Sequence, residues 1–126
     1  IVVANPSAPL DPGSPAFDDG YTLAADPPGH AVDATITAAS PWGALRGLET
    51  LSQLVTATTG GGYRLPPAPV AVSDSPRFRW RGLMIDTGRN YLTVSTIKAA
   101  LDAMAYTKLN ARVNMVNPQW HPSTVH

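Results

Sequence analysis

The sequence predicts an α+β domain, a sheet with one packed helix, followed by a parallel βαβ unit. Three observations carry this reading. Short segments ahead of position 40 alternate apolar and polar residues, a capped amphipathic run starts at Pro41, and a continuously apolar stretch beyond Pro76 leads into a second amphipathic run.

Ile1–Ala4 reads as a short strand, and residues 5–20 as a loop rich in Pro, Asp and Gly. Tyr21–Leu23 forms a second short strand, closed by the turn signal Asp26-Pro27-Pro28-Gly29. Ala31–Ala38 sets Val32, Ala34 and Ile36 against Asp33, Thr35 and Thr37, the period-2 pattern of a half-buried strand. Ser40 is placed to cap a helix, and Pro41 suits the first helical position, where an N–H would be unpaired anyway. Leu45, Leu48, Leu51, Ser52 and Val55 follow helical spacing and make the predicted buried stripe, widened by Trp42 and Leu54. Trp42 on this stripe reads as a core anchor rather than a sugar platform. Gly60-Gly61-Gly62 offers the left-handed backbone that stops a helix. Tyr63–Leu65 is a further strand candidate, and the prolines between 66 and 69 force an extended path.

The second half changes character. Phe78–Asp86 reads as a strand whose Leu83-Met84-Ile85 end suits a parallel strand buried on both faces. After the loop 87–92, Thr93 or Ser95 can cap a helix with Val94, Ile97, Leu101, Met104 and Ala105 on one face. Lys108 is expected in its last turn, favourable against the helix dipole, with Asn110 as C-cap. Ala111–Val116 is the candidate second strand, and Pro118 and Pro122 end regular structure. Strand, helix, strand of this kind builds parallel sheets by right-handed crossovers.

Composition narrows the function. Nine basic and nine acidic residues cancel in 126, which argues against nucleic acid or an anionic membrane held through bulk charge. No apolar run approaches the roughly 20 residues of a membrane span. Without cysteine there are no disulfides and no thiolate metal sites. His121 and His126, five apart with no third ligand, read as tail histidines rather than a metal site. Arg77, Arg79 and Arg81 would share one strand face with Phe78 and Trp80 on the other; interdomain packing with snorkelled arginines is the preferred reading over nucleic-acid binding. Position 1 is not Met, so a start inside a longer product or after a processed leader is expected.

Three strings then point to a family. Ser40-Pro41-Trp42-Gly43-Ala44-Leu45-Arg46-Gly47-Leu48-Glu49-Thr50-Leu51-Ser52-Gln53-Leu54 resembles the helix of the N-terminal domain of glycoside hydrolase family 20 β-N-acetylhexosaminidases. Ser75-Pro76-Arg77-Phe78, then Arg81-Gly82-Leu83-Met84-Ile85-Asp86-Thr87-Gly88-Arg89-Asn90-Tyr91-Leu92, is similar to that family's signature at the first barrel strand. Leu101-Asp102-Ala103-Met104-Ala105-Tyr106-Thr107-Lys108-Leu109-Asn110 resembles the stretch that follows. The resemblance implies a non-catalytic α+β domain over 1–76, then over 77–126 the first βαβ unit of a truncated TIM (β/α)8 barrel, divergent after 110.

It also implies an activity: removal of terminal N-acetylglucosamine or N-acetylgalactosamine, with retention, by attack of the substrate's own acetamido oxygen on the anomeric carbon. In the family an Asp orients the acetamido group and an adjacent Glu is the general acid/base. This chain has no Asp-Glu dipeptide, and its one Glu is Glu49, so no catalytic residue carries over. Nor does the family's H-x-H pair, whose place is taken by Ala111-Arg112-Val113-Asn114. Arg89 carries over as the substrate-binding residue, the arginine that holds the hydroxyls on carbons 3 and 4 of the terminal sugar. Its position after a parallel strand and its fork of donors agree with that role; the competing reading is a structural ion pair with Asp86.

No metal or other cofactor is expected. The implied partners are N-acetylhexosamine-terminated glycans, with no nucleic acid or membrane, and a homo-oligomer or a pairing with a full-length subunit. A lysosomal or secreted setting is the family's implication. The alternative is a non-catalytic interaction or regulatory module derived from such an enzyme.

Overall fold

The computed structural model describes residues 1–9, 11–26, 34–66 and 69–115, with Arg112–Met115 described for their backbone only. The end of the turn predicted at 26–29, the first residues of the strand predicted from Ala31, Val116, and His121 and His126 lie outside those residues. The chain divides into two compact units, Ile1–Arg79 and Trp80–His126.

The first unit is a four-stranded sheet with one helix on it. Its strands are β1 (Val2–Val3), β2 (Tyr21–Ala25), β3 (Ala34–Ala38) and, after the helix, β6 (Val70–Asp74); α1 spans Pro41–Leu54, and β4 (Thr56–Ala57) and β5 (Tyr63–Arg64) form a small hairpin between α1 and β6. The sheet order is β1-β3-β2-β6, with β1 parallel to β3 and the other pairings antiparallel. Period-2 alternation sends Tyr21, Leu23, Ala25, Ile36 and Ala38 into the interior, while Thr22, Thr35, Thr37 and Ser73 stay exposed on the other face. Tyr21, Leu23, Ile36, Ala38 and Ala44 make the core, with Val3, Leu51, Leu54 and Val72 packed around it.

Helix α1 begins as its sequence predicts. The Ser40 hydroxyl accepts from the Gly43 N–H at 3.3 Å, Pro41 opens the first turn, and Ser40 Oγ also donates to the Asp18 carbonyl. Its buried face matches the predicted leucine stripe only in part, at Leu51 and Leu54. Gly43, Ala44 and Gly47 face the sheet, whereas Leu45 and Leu48 are 52% and 40% exposed. The reason is steric: a Cβ on Gly47 would stand 2.6 Å from Ile36 Cγ2, so the helix backbone lies closer to the sheet than a leucine permits. Trp42 is half-buried, and its indole N–H donates to the Pro9 carbonyl at 3.1 Å.

The helix also ends earlier than the glycines. Val55 is already extended, and Gly61, at φ +84°, instead turns the β4–β5 hairpin. Strand β6 was not expected from the sequence. Val70 and Val72 carry its alternation, obscured by the proline-rich stretch just before them.

The second unit is a βαβ arrangement: β7 (Gly82–Asp86), α2 (Val94–Tyr106) and β8 (Ala111–Met115), with β7 and β8 parallel in register Gly82↔Ala111 to Asp86↔Met115. Strand β7 starts at Gly82, four residues later than predicted, so residues 77–81 form no strand face. Phe78 and Trp80 are both exposed, and the Arg77 guanidinium lies 5.3 Å from the Phe78 ring centroid. Arg81 Nε donates to the Lys108 carbonyl at 3.0 Å.

Burial of Leu83–Ile85 on both faces is not found. Ile85 is buried, but Leu83 on the same face and Met84 on the opposite one are both exposed. In α2, Thr93 is the cap, its hydroxyl accepting from Thr96 N–H at 3.2 Å. Met104 is buried and Ile97 and Ala100 half-buried, while Val94 and Leu101 face outward. Lys108 lies past the helix end at φ 57°, so it carries the left-handed reversal instead of a place in the last turn. Thr107 is the C-cap; Asn110 instead ties the helix exit to β7, its Oδ1 accepting from Arg81 N–H at 3.0 Å and its N–H donating to the Arg81 carbonyl at 2.8 Å.

Candidate functional site

Asp86 is the last residue of β7, and the chain turns at once into 87–92. Its carboxylate makes that turn. Oδ1 accepts the backbone N–H groups of Gly88 at 2.9 Å and Arg89 at 3.2 Å, the local bonding that favours Asp at the start of a turn. The other oxygen, Oδ2, lies 2.9 Å from Arg89 Nε. The ion pair weighed against a sugar-binding role is therefore present.

The pair is lopsided in exposure. Asp86 is 25% exposed, whereas Arg89 is 80% exposed. Asp86 holds the Nε edge, and the two Nη groups have no other partner among the described residues. A guanidinium in that state is an open fork of donors, suited to two neighbouring hydroxyls or a carboxylate. It has no acid/base chemistry to offer near neutral pH, since Arg does not give up its proton.

Several other described carboxylates are engaged within the fold. Asp18 Oδ1 accepts from Gly20 N–H at 2.8 Å, and Asp74 Oδ2 accepts from the Tyr21 hydroxyl at 3.0 Å. That hydroxyl also lies 2.5 Å from Thr50 Oγ1 and so joins the sheet to α1. Buried Asp19 sits 3.9 Å from Arg46 Nε of the same helix. Asp18 and Asp74 border an open cleft with Thr22, Thr37, Ser73 and Ser75, but each is engaged within the fold. Glu49, the one glutamate, accepts from Gln53 Nε2 at 2.8 Å on α1. No group of three or more metal-ligating side chains occurs among the described residues. None of their helices is long and apolar enough to cross a membrane.

Comparison with known proteins gives this geometry a setting. Residues 1–54 match a family model described as beta-acetyl hexosaminidase like, and residues 78–117 match the catalytic domain of glycosyl hydrolase family 20. The second match contains β7, Asp86, Arg89, α2 and β8, and it runs past Asn110. The chain is 46% identical over 93 residues to a beta-hexosaminidase of Emericella nidulans, covering 74% of this chain and 15% of the relative. It is 45% identical over 106 residues to the rat beta-hexosaminidase subunit beta, covering 80% and 19%. Among solved structures, Flavobacterium johnsoniae chitobiase superposes with TM-score 0.62 at 42% identity, over 77% of this chain and 14% of that one. An exo β-N-acetylglucosaminidase from Vibrio harveyi gives TM-score 0.67 at 27% identity, over 82% and 15%. The chain thus spans under a fifth of the length of these relatives. With both units matched in order, and with similarity in sequence and fold to the same enzymes, the chain belongs to glycosyl hydrolase family 20.

Proposed function

We propose that these residues are the front segment of a β-N-acetylhexosaminidase, an enzyme that removes terminal N-acetylglucosamine or N-acetylgalactosamine by substrate-assisted, retaining hydrolysis. In this reading, residues 1–76 are the non-catalytic N-terminal domain, and residues 77–126 open a (β/α)8 barrel with β7 as its first strand. Arg89 binds the terminal sugar. One observation carries the assignment: within the catalytic-domain match, Arg89 follows the C-terminal end of a parallel strand, where barrel active sites are built, with its outer donors open. The family resemblance extends the proposal to a lysosomal or secreted setting and to assembly with another subunit.

The 126 residues alone are proposed to give no turnover. The mechanism needs a carboxylate to orient the acetamido group and an adjacent acid to protonate the leaving oxygen. The sequence contains no Asp-Glu dipeptide. Its contribution is ground-state and transition-state binding through a fixed cation.

The test is a hybrid enzyme in which residues 1–117 replace the matching segment of the Emericella nidulans relative. The hybrid is expected to hydrolyse an aryl N-acetylglucosaminide, and Arg89→Ala is expected to lower its kcat/KM about a hundredfold, as for loss of two charge-assisted hydrogen bonds. An Arg89→Ala hybrid as active as its parent would overturn the sugar-binding role.

A further inference from the structure

We infer that Asp86 is a positioning residue, which presents the Arg89 guanidinium to the sugar with its Nη edge outward. The inference rests on the sugar-binding reading of Arg89. It concerns how that side chain, four-fifths exposed at the end of a strand, comes to hold one direction.

A free arginine has four rotatable side-chain bonds, and ordering it on substrate binding consumes much of what its hydrogen bonds supply. Here one carboxylate does two separable things. Through Oδ1 it accepts from the N–H groups of Gly88 and Arg89, which fixes the backbone carrying the arginine. Through Oδ2 it accepts from Nε, which fixes the side chain. Because the carboxylate takes Nε and not the terminal nitrogens, the end-on fork stays available to a pair of hydroxyls. Asp86 is itself held, as the last residue of β7 paired with Met115 in the parallel register. The fork is therefore set before a ligand arrives, and Asp86 need never touch the sugar.

The two functions can be pulled apart by one substitution. In Asp86→Asn, an amide oxygen still closes the turn, but an NH2 group faces Nε and cannot accept from it. In the 15N-labelled 126-residue chain, the Arg89 Nε–Hε proton is expected to exchange with water about tenfold more slowly than that of exposed Arg64, and Asp86→Asn should remove the difference. The Gly88 and Arg89 amide signals should meanwhile stay in place. Arg89→Lys assigns the cross-peak by its loss. Exchange as fast as that of Arg64 in the unchanged chain, or slow exchange that survives Asp86→Asn, would overturn the inference.

Activity of the hybrid enzyme gives a second measurement that needs no signal from the short chain. There Asp86→Asn is expected to raise KM about tenfold with a smaller change in kcat, and to add nothing once Arg89 is alanine. Losses that simply multiply in the double variant would contradict the coupling. If Arg89→Ala has no effect on the hybrid while Asp86→Asn still frees the Nε–Hε proton, the sugar-binding reading fails and the orientation by Asp86 stands.

Discussion

Alanine at Gly43 is expected to destabilise the N-terminal unit strongly, although alanine is the better helix former by about 1 kcal/mol. Gly43 lies in the first turn of α1, and a Cβ there would stand 2.1 Å from the Gly20 carbonyl oxygen and 3.0 Å from Ala38 Cβ. The nearer obstacle is backbone, immediately before β2, and cannot rotate away. To make room, α1 has to lift from the sheet or β2 has to shift, and either breaks the contact of Ala44 with the core. The same movement pulls the Gly43 N–H from its Ser40 cap. Overpacking of this kind costs about 3 kcal/mol, and more where the neighbour is rigid. Amide exchange in Tyr21–Ala25 and the urea midpoint of the unit report it. Gly60→Ala is the matched control, since no atom lies within 4 Å of its Cβ position; its midpoint should hardly move. A Gly43→Ala chain as stable as the parent would mean that α1 does not approach the sheet this closely.

Leu23→Ala is expected to remove about 2–5 kcal/mol from the same unit, the range for truncating a fully enclosed leucine. Leu23 is 1% exposed and occupies the middle of β2, with Ile36 opposite on β3 and Val72 opposite on β6. It therefore touches both neighbouring strands beneath the helix, and alanine leaves a cavity that none of the three elements can close alone. Val94→Ala on α2, at a position 65% exposed, should change stability by only about 0.5 kcal/mol. Denaturant midpoints of the two variants, compared with the parent, check the contrast.

These two positions also show what could be read in advance. Leu23 and Ile36 were legible because a strand alternates strictly, and the interior face follows from any one residue. The helix α1 was legible at its start, where Ser40 and Pro41 act locally, but its buried face only in part. Hydrophobic periodicity selects leucines, of which Leu51 and Leu54 do pack against the core, whereas the closest approach is made by Gly43, Ala44 and Gly47, which are small. Such packing is a property of two surfaces together, and neither string states it alone. Strand β6 was hidden for a similar reason: Val70 and Val72 alternate over too short a span to stand out beside the prolines.

At the site, the position of Arg89 after a parallel strand was legible, and so was a possible partner in Asp86. The division of labour within that carboxylate was not. It depends on the turn placing one oxygen on two amides and the other on Nε. Lys108 and Asn110 mark the same limit. Their types suit a helix end, yet which one reverses the chain and which one ties β7 to the helix exit is decided by the crossover between β7 and β8.

In the proposed function these residues supply a binding arginine for a hexosaminidase site without the acids that break the bond. Purified 126-residue chain assayed on an aryl N-acetylglucosaminide tests it most directly. Release of the aryl group is expected to be no faster than in buffer, under conditions where the hybrid enzyme turns over. Hydrolysis by the pure chain that disappears with Arg89→Ala would contradict it, because the proton transfer would then have to come from residues assigned no such role.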